Sequence, residues 1–127
     1  MNLGVGNLGG EPQMRTVNLK PDRPTVAEAL SRLEHQLAGA SRRGEATLKL
    51  VHGYGSTGVG GDIRLALQRR LMELVRDGQI QDCIFGEDWS KSNDRAWRLL
   101  KTQPHLKDDA DLGRNNRGIT IVVLKAA

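Results

Sequence analysis

The residues best suited to chemistry surround a glycine-rich loop in the middle of the chain. His52 follows a run of strand-forming residues, and five of the fifteen glycines fall between Gly53 and Gly61. Glycine adopts positive φ and lets a ligand approach the backbone closely. A helix after the loop would present free N–H groups and the positive end of its dipole, which favour an anion such as phosphate. The stretch therefore predicts a phosphate site with His52 beside it.

Each polar side chain near this loop has two interpretations. His52, with an ordinary pKa near 6.5, suits proton transfer or phosphate contact, but it could equally cap the loop through hydrogen bonds to the backbone. Arg64, predicted in the first turn of the following helix, could clamp a phosphate with two donors or lie solvated on the surface. Tyr54 could stack on a base or simply cover the loop. Gly53, Gly55 and Ser56 complete the predicted phosphate-binding backbone.

The composition is that of one mildly basic domain. The 127 residues carry a net charge of +4, which permits a nucleic-acid partner without requiring one. Aromatic residues make up only 3%, which argues against recognition by rows of stacked aromatics. The single cysteine, Cys83, excludes an internal disulfide and lies in an apolar run typical of a buried thiol. No signal peptide or membrane span is apparent, so the predicted location is cytoplasmic.

Hydrophobic periodicity predicts the elements that position the loop. Thr25 and Glu28 form a capping box before a helix whose apolar face includes Leu33, and Leu67 lies on the corresponding face of the second long helix. A shorter third helix is predicted to bury Trp97 and Leu100. Residues 1–13 are predicted to be a disordered tail. The predicted elements are strands over 14–19, 46–51, 80–85 and 118–124, and helices over 25–43, 62–76 and 94–102.

This order, β-α-β-α-β-(α)-β, predicts an α/β fold. The βαβ pieces require right-handed crossovers and some parallel pairing. Four strands suit a two-layer α/β sandwich, with a mixed sheet and the two long helices on one face. Ligands of such sheets bind at the carboxyl ends of parallel strands, which again selects His52 and its loop.

Other phosphate loops and a metal site fit the sequence less well. Residues 53–58 match GxGxxG, with Glu87 near the place of the ribose-binding acid, but a dinucleotide fold needs more strands than this chain contains. A P-loop is excluded because Val59 and Gly60 replace its lysine and hydroxyl residue. Three carboxylates lack regular metal-ligand spacing and are interpreted as loop solvation: Asp108, Asp109 and Asp111.

The segment Leu50-Val51-His52-Gly53-Tyr54-Gly55, followed by a helix near Asp62-Ile63-Arg64, resembles the HGxG signature of Smr (small MutS-related) domains. The ending Gly118–Leu124 is similar to that family's closing strand, and the resemblance covers about residues 15–125. It implies a sandwich like the C-terminal domain of translation initiation factor three. It also implies nucleic-acid binding and, in some members, an endonuclease that nicks DNA or cleaves RNA.

The sequence departs from the family where an LDxH motif is usual at the end of the first strand. This chain has Val17-Asn18-Leu19-Lys20 there, so both the carboxylate and the second histidine are missing. Lys20 could bind phosphate but would not readily act as a base at neutral pH. If the domain cleaves, His52 would transfer the proton and a divalent ion such as Mg²⁺ would replace the missing carboxylate. The alternative hypothesis is a non-catalytic adaptor that binds a protein partner.

Overall fold

Residues 14–53 and 59–125 are described by a computed structural model, and within them four strands form one mixed sheet. The order across the sheet is β1-β2-β4-β3; β1 and β2 are parallel, and β4 is antiparallel to both of its neighbours. The last residues of β1, β2 and β3 and the first residue of β4 therefore share one end of the sheet, called here the carboxyl edge. The strands are β1 (Arg15–Asn18), β2 (Thr47–Val51), β3 (Asp82–Phe85) and β4 (Ile119–Val123).

Two long helices cover one face of the sheet, as the sequence predicts. Helix α1 (Val26–Arg42) begins with the predicted capping box. The Thr25 hydroxyl accepts a hydrogen bond from the backbone N–H of Glu28, and the Glu28 carboxylate accepts one from the backbone N–H of Thr25. Helix α2 (Val59–Arg76) packs beside it. Their buried residues, including Leu33 and Leu67, share one apolar cluster with alternate side chains of the sheet. Cys83 lies in this cluster, where burial raises the pKa of its thiol to about 11.

The opposite face of the sheet is also covered, by helix α3 (Asp94–Thr102) and the short 3₁₀ helices Gly86–Asp88 and Pro104–Asp108. Leu100 is buried there as predicted, but the prediction for Trp97 is wrong, because 39% of it is exposed. The inner positions of α3 are Ala96, Leu99 and Leu100, spaced three and four residues apart. Trp97 falls outside that stripe, and Trp89 supplies the buried indole instead.

Lys49, in the middle of β2, forms ion pairs that link the sheet to the segment after α3. Its side chain points away from α1 and α2 and is 9% exposed, with Nζ 3.0 Å from Asp109 Oδ1 and an ion pair to Asp111. The indole N–H of Trp89 donates to Asp109, and Asn116 donates to Asp111. Burial lowers the pKa of Lys49, but the bonds to Asp111 and Asp109 more than offset it, so the pKa is raised. These two carboxylates are held by protein donors rather than solvated as a free loop.

The start of α2 differs from the prediction. The helix begins at Val59, whereas the glycines at 60 and 61 indicated loop as far as Asp62. The first turn of a helix has unpaired N–H groups in any case, and Asp62 complements the dipole there. Arg64 consequently lies in the second turn of α2 and not in the first. No helix within the described residues is both long and apolar enough to cross a membrane.

Candidate functional site

His52 and Gly53 follow the end of β2, and they are hydrogen-bonded to the residue just before β4 at the carboxyl edge. Both of their backbone N–H groups donate to the carbonyl of Gly118, at 2.9 and 3.0 Å. Gly53 has a φ of 72°, a conformation that side chains other than glycine rarely adopt. The chain therefore turns sharply after His52, and this turn holds the imidazole against the sheet.

The imidazole of His52 is buried, with only 3% of the residue exposed. Its Nδ1 lies 2.6 Å from the Gly53 carbonyl oxygen, and its Nε2 lies 2.9 Å from the hydroxyl of Thr120 on β4. A carbonyl oxygen only accepts, so in the neutral ring Nδ1–H must donate to Gly53, and Nε2 then accepts from Thr120. Both ring nitrogens are engaged by the protein.

Burial lowers the pKa of His52 from its ordinary value. The bond to Gly53 opposes this effect, and the charges of Arg64 and Glu87 act in opposite directions, Arg64 lowering the pKa and Glu87 raising it. Burial prevails, so the imidazole is neutral near pH 7. In this arrangement the neutral ring joins the loop to β4, and its Nε2 lone pair accepts from the Thr120 hydroxyl.

Arg64 of α2 and Glu87 after β3 form an ion pair at the same edge. Arg64 Nη2 donates to Glu87 Oε2 at 2.9 Å, and the two side chains are 19% and 28% exposed. Arg64 Nε and Glu87 Oε1 are both buried without a hydrogen-bond partner in the described part of the chain. An unsatisfied buried donor is costly, but this Nε is shielded from solvent, so it is not itself a contact point for a ligand.

Lys20 is an exposed cation at this edge. It follows the end of β1, and its Cδ lies 3.4 Å from the position that a Cβ on Gly53 would occupy. It has no carboxylate partner among the residues described. Its ammonium is therefore available to a ligand that approaches the turn after His52.

The fold of this chain resembles that of a solved structure. The chain is similar to the Smr domain of Thermus thermophilus MutS2, with a TM-score of 0.55 and 25% sequence identity over 88% of this chain and 99% of that one. This chain is an Smr-like domain. No family model matches its sequence, and a search of curated proteins finds no match either.

The Smr-like fold brings together four of the residues predicted for the site. His52 and Gly53 form the turn, Lys20 lies against Gly53, and the charge of Arg64 acts on His52. The remaining three predicted residues, Tyr54, Gly55 and Ser56, lie outside the described residues. The bond from His52 Nδ1 to the Gly53 carbonyl is of the kind that the second predicted role, holding the loop through the backbone, requires, and both roles of His52 stay predictions.

Two residues of the Smr-like site were not among those predicted for it. The sequence indicates Thr120 only as part of the closing strand, and no local pattern indicates that its hydroxyl meets His52. The GxGxxG pattern suggests Glu87 only as a ribose-binding acid. The sequence signal that places Glu87 in the site is its position immediately after β3, because the carboxyl ends of β1, β2 and β3 lie at one edge of the sheet.

A metal cluster is not a feature of this edge as far as the chain is described. No group of three or more His, Cys, Asp or Glu side chains within that part could hold a metal ion. A cavity of about 640 Å³ lies at the opposite end of the sheet, lined by Gln81, Arg95 and Val123 among others, and it includes neither His52 nor Arg64. The described part of the Smr-like site is built around the turn at His52 and Gly53.

Proposed function

We propose that this Smr-like domain binds nucleic acid through the phosphate backbone at its carboxyl edge. The observation that carries the proposal is the grouping of Lys20 and Arg64 around the turn His52–Gly53. Lys20 supplies an exposed cation that has no carboxylate partner among the residues described. Arg64 supplies a guanidinium of five N–H donors, of which one on Nη2 bonds to Glu87, and its side chain is 19% exposed.

The ion pair between Arg64 and Glu87 determines how Arg64 contributes to phosphate binding in this proposal. The carboxylate neutralises part of the Arg64 charge, so a phosphate gains less from Arg64 than from an isolated arginine. Glu87 in return orients the guanidinium before a ligand arrives, which reduces the entropy lost on binding. Lys20 therefore supplies most of the Coulombic attraction, and Arg64 supplies a directional hydrogen bond.

Phosphodiester cleavage is a second candidate function, and Glu87 is the observation that favours it. Its carboxylate lies at the carboxyl edge, where the aspartate of the LDxH motif is absent from this chain. In this scheme Glu87 accepts the proton of the attacking hydroxyl, Arg64 holds the phosphate, and His52 only positions the turn. A divalent ion such as Mg²⁺ remains the cofactor to test, because Glu87 would have to release Arg64 to contribute to its binding.

The adaptor hypothesis has less support. Leu65 and Met72 are exposed at 53% and 57% on α2, but they lie about two turns apart with Arg69 between them, so they form no continuous apolar patch within the described residues. A protein partner and a cytoplasmic location both remain predictions.

Fluorescence anisotropy with labelled single- and double-stranded DNA and RNA, measured from low to high salt, tests the binding proposal. Affinity should fall as salt rises, because each phosphate contact releases counterions. Lys20→Ala should weaken binding on every sequence and reduce the salt slope by about one contact. Arg42→Ala, which removes an exposed charge at the far end of α1, is the matched control and should have little effect. Absence of binding at low salt, or binding that salt does not weaken, would overturn the proposal.

A further inference from the structure

The two tryptophans of the chain have opposite environments. Trp89 is fully buried and its indole N–H donates to Asp109 at 3.0 Å. Trp97 lies on the outer side of α3, and 39% of it is exposed to solvent. The buried positions of α3 are Ala96, Leu99 and Leu100, which pack in the same apolar cluster as the sheet, and Trp97 is not among them. Its outward position leaves a large apolar ring on the surface.

Cations surround this exposed ring. Lys107 Nζ lies 5.5 Å from the centroid of the Trp97 ring. Lys101 is one helical turn beyond Trp97 on the same side of α3, and Arg98 is the adjacent exposed residue. Helix α3 as a whole has three basic residues against one acidic residue, Asp94.

We propose that Trp97, Arg98, Lys101 and Lys107, called here the Trp97 platform, stack an unpaired base and bind its flanking phosphates. The inference rests on the proposed nucleic-acid binding and adds to it the form of the ligand: a single strand, or an unpaired loop or end. A base inside a duplex is already stacked on both sides and cannot reach an indole on a helix surface. A splayed base offers its π-face to the indole, and the nearby ammonium groups meet the backbone.

The charge around Trp97 favours a polyanion over a protein partner. The other large apolar side chains exposed in the described part of the chain, Leu65 and Met72, belong to α2 on the opposite face of the sheet. Trp97 is therefore an isolated exposed ring with Lys107 beside it, whereas a protein-docking surface requires a continuous apolar area. One indole also fits the low aromatic content, because a single stacking position requires no row of aromatics.

Intrinsic fluorescence provides the test, since Trp97 and Trp89 are the only tryptophans of the chain. Titration of the full-length protein with oligo(dT) and oligo(U) should quench the emission of the exposed indole, and a matched duplex should quench it less. In Trp97→Phe, where Trp89 is the only reporter, quenching should disappear, while anisotropy should show that the phenyl ring retains most of the affinity. Trp97→Ala should weaken single-strand binding by about 5- to 100-fold and leave duplex binding within about twofold.

Met72→Ala is the matched control, because it removes an exposed apolar side chain from the other face of the sheet. It should leave all affinities unchanged, and melting curves should show that both alanine variants fold. If the wild type binds single strands but Trp97→Ala binds them equally well, the platform is wrong and the proposed function stands. If the wild type binds no nucleic acid, both are overturned. Loss of self-association in Trp97→Ala, with unchanged nucleic-acid binding, would also overturn the platform and identify a protein contact.

Discussion

The imidazole Nε2 of His52 and the hydroxyl of Thr120 lie 2.9 Å apart inside the carboxyl edge, although 68 residues separate them in the chain. The bond joins the end of β2 to the adjacent antiparallel strand β4. With Nδ1 bonded to Gly53, the ring fixes the turn, the strand pair and its own tautomer. The central histidine of this site is thus buried, and its protonation would reverse the bond to Thr120, because Nε2–H would then donate to the hydroxyl oxygen.

The stability of the domain should therefore depend on the protonation of His52. Its folded-state pKa is lowered, so the unfolded chain takes up the proton first as the pH falls. The free energy of unfolding should decrease from about pH 6.5 downward, until the pH reaches the folded pKa. Urea titrations across this window should show the decline in the wild type and a flatter profile in His52→Gln. His35→Gln, which changes an exposed histidine of α1, should retain the decline, and an equal decline in both variants would exclude His52 as its source.

The packing of the two long helices should tolerate little loss of volume. Leu33 of α1 and Leu67 of α2 are 0% and 1% exposed within the same apolar cluster. Replacing either with Ala should lower the free energy of unfolding by about 2–5 kcal/mol. Leu65→Ala is the control on α2, because its side chain is 53% exposed, and it should change stability by less than about 0.5 kcal/mol. Unchanged melting temperatures for Leu33→Ala and Leu67→Ala would contradict this packing.

Gly86, directly after β3, should be the glycine least tolerant of substitution. A Cβ there would lie 1.7 Å from the backbone oxygen of Asn116 and 2.8 Å from that of Ile119. Backbone atoms cannot rotate away, so Gly86→Ala should destabilise the domain by about 3 kcal/mol or more and displace the edge that holds Glu87. Gly39→Ala is the matched control: its new methyl group would meet only the flexible end of Arg43, and alanine favours the helix. Denaturation midpoints that rank the two variants in the opposite order would exclude this close approach.

The buried cation Lys49 gives a further prediction about stability. Lys49→Met fills similar space but leaves Asp109 and Asp111 without their cation, so unfolding should become easier by about 3–5 kcal/mol. Arg70→Met, which breaks the exposed ion pairs with Glu34 and Glu73, should change stability much less, because solvent screens surface charges. Chemical denaturation of both variants at pH 7 measures the contrast, and equal effects would show that the Lys49 network contributes no more than a surface pair.

The sequence predicts the elements of this fold better than their cross-contacts. The capping box at Thr25 and the apolar faces of α1 and α2 are local patterns, and both are present. Lys49 lies between Leu48 and Leu50, so alternation places it on a polar face. Only the tertiary contact with Asp109, 60 residues later, shows that this face is buried.

The same limit applies to the site. The histidine turn and its place at the carboxyl edge follow from the strand, the glycines and the resemblance to Smr domains. The bonds of His52 to Thr120 and of Arg64 to Glu87 depend on the order β1-β2-β4-β3, which brings β4 beside β2 and β3 beside β4. Periodicity predicts each strand but does not determine which strands are neighbours.

Cleavage separates the two candidate functions. We expect the purified wild type to bind nucleic acid without cleaving it above background in the presence or absence of Mg²⁺ or Mn²⁺, because His52 is neutral and bonded at both nitrogens. His52→Ala should then alter stability and affinity only. Incubation of end-labelled DNA and RNA with the protein, with and without a chelator, measures this directly.

Cleavage by the wild type would instead identify the carboxylate as the reactive group. In that case Glu87→Gln should slow the reaction by about 10²–10⁴-fold and leave binding nearly intact. Arg64→Ala should weaken binding and cleavage together, since a phosphate clamp acts before and during the chemical step. The amide of Glu87→Gln can still accept from Arg64, so this variant separates proton transfer from orientation of the guanidinium. Cleavage that persists in the His52, Arg64 and Glu87 variants would mean that neither the histidine turn nor the ion pair beside it performs the reaction.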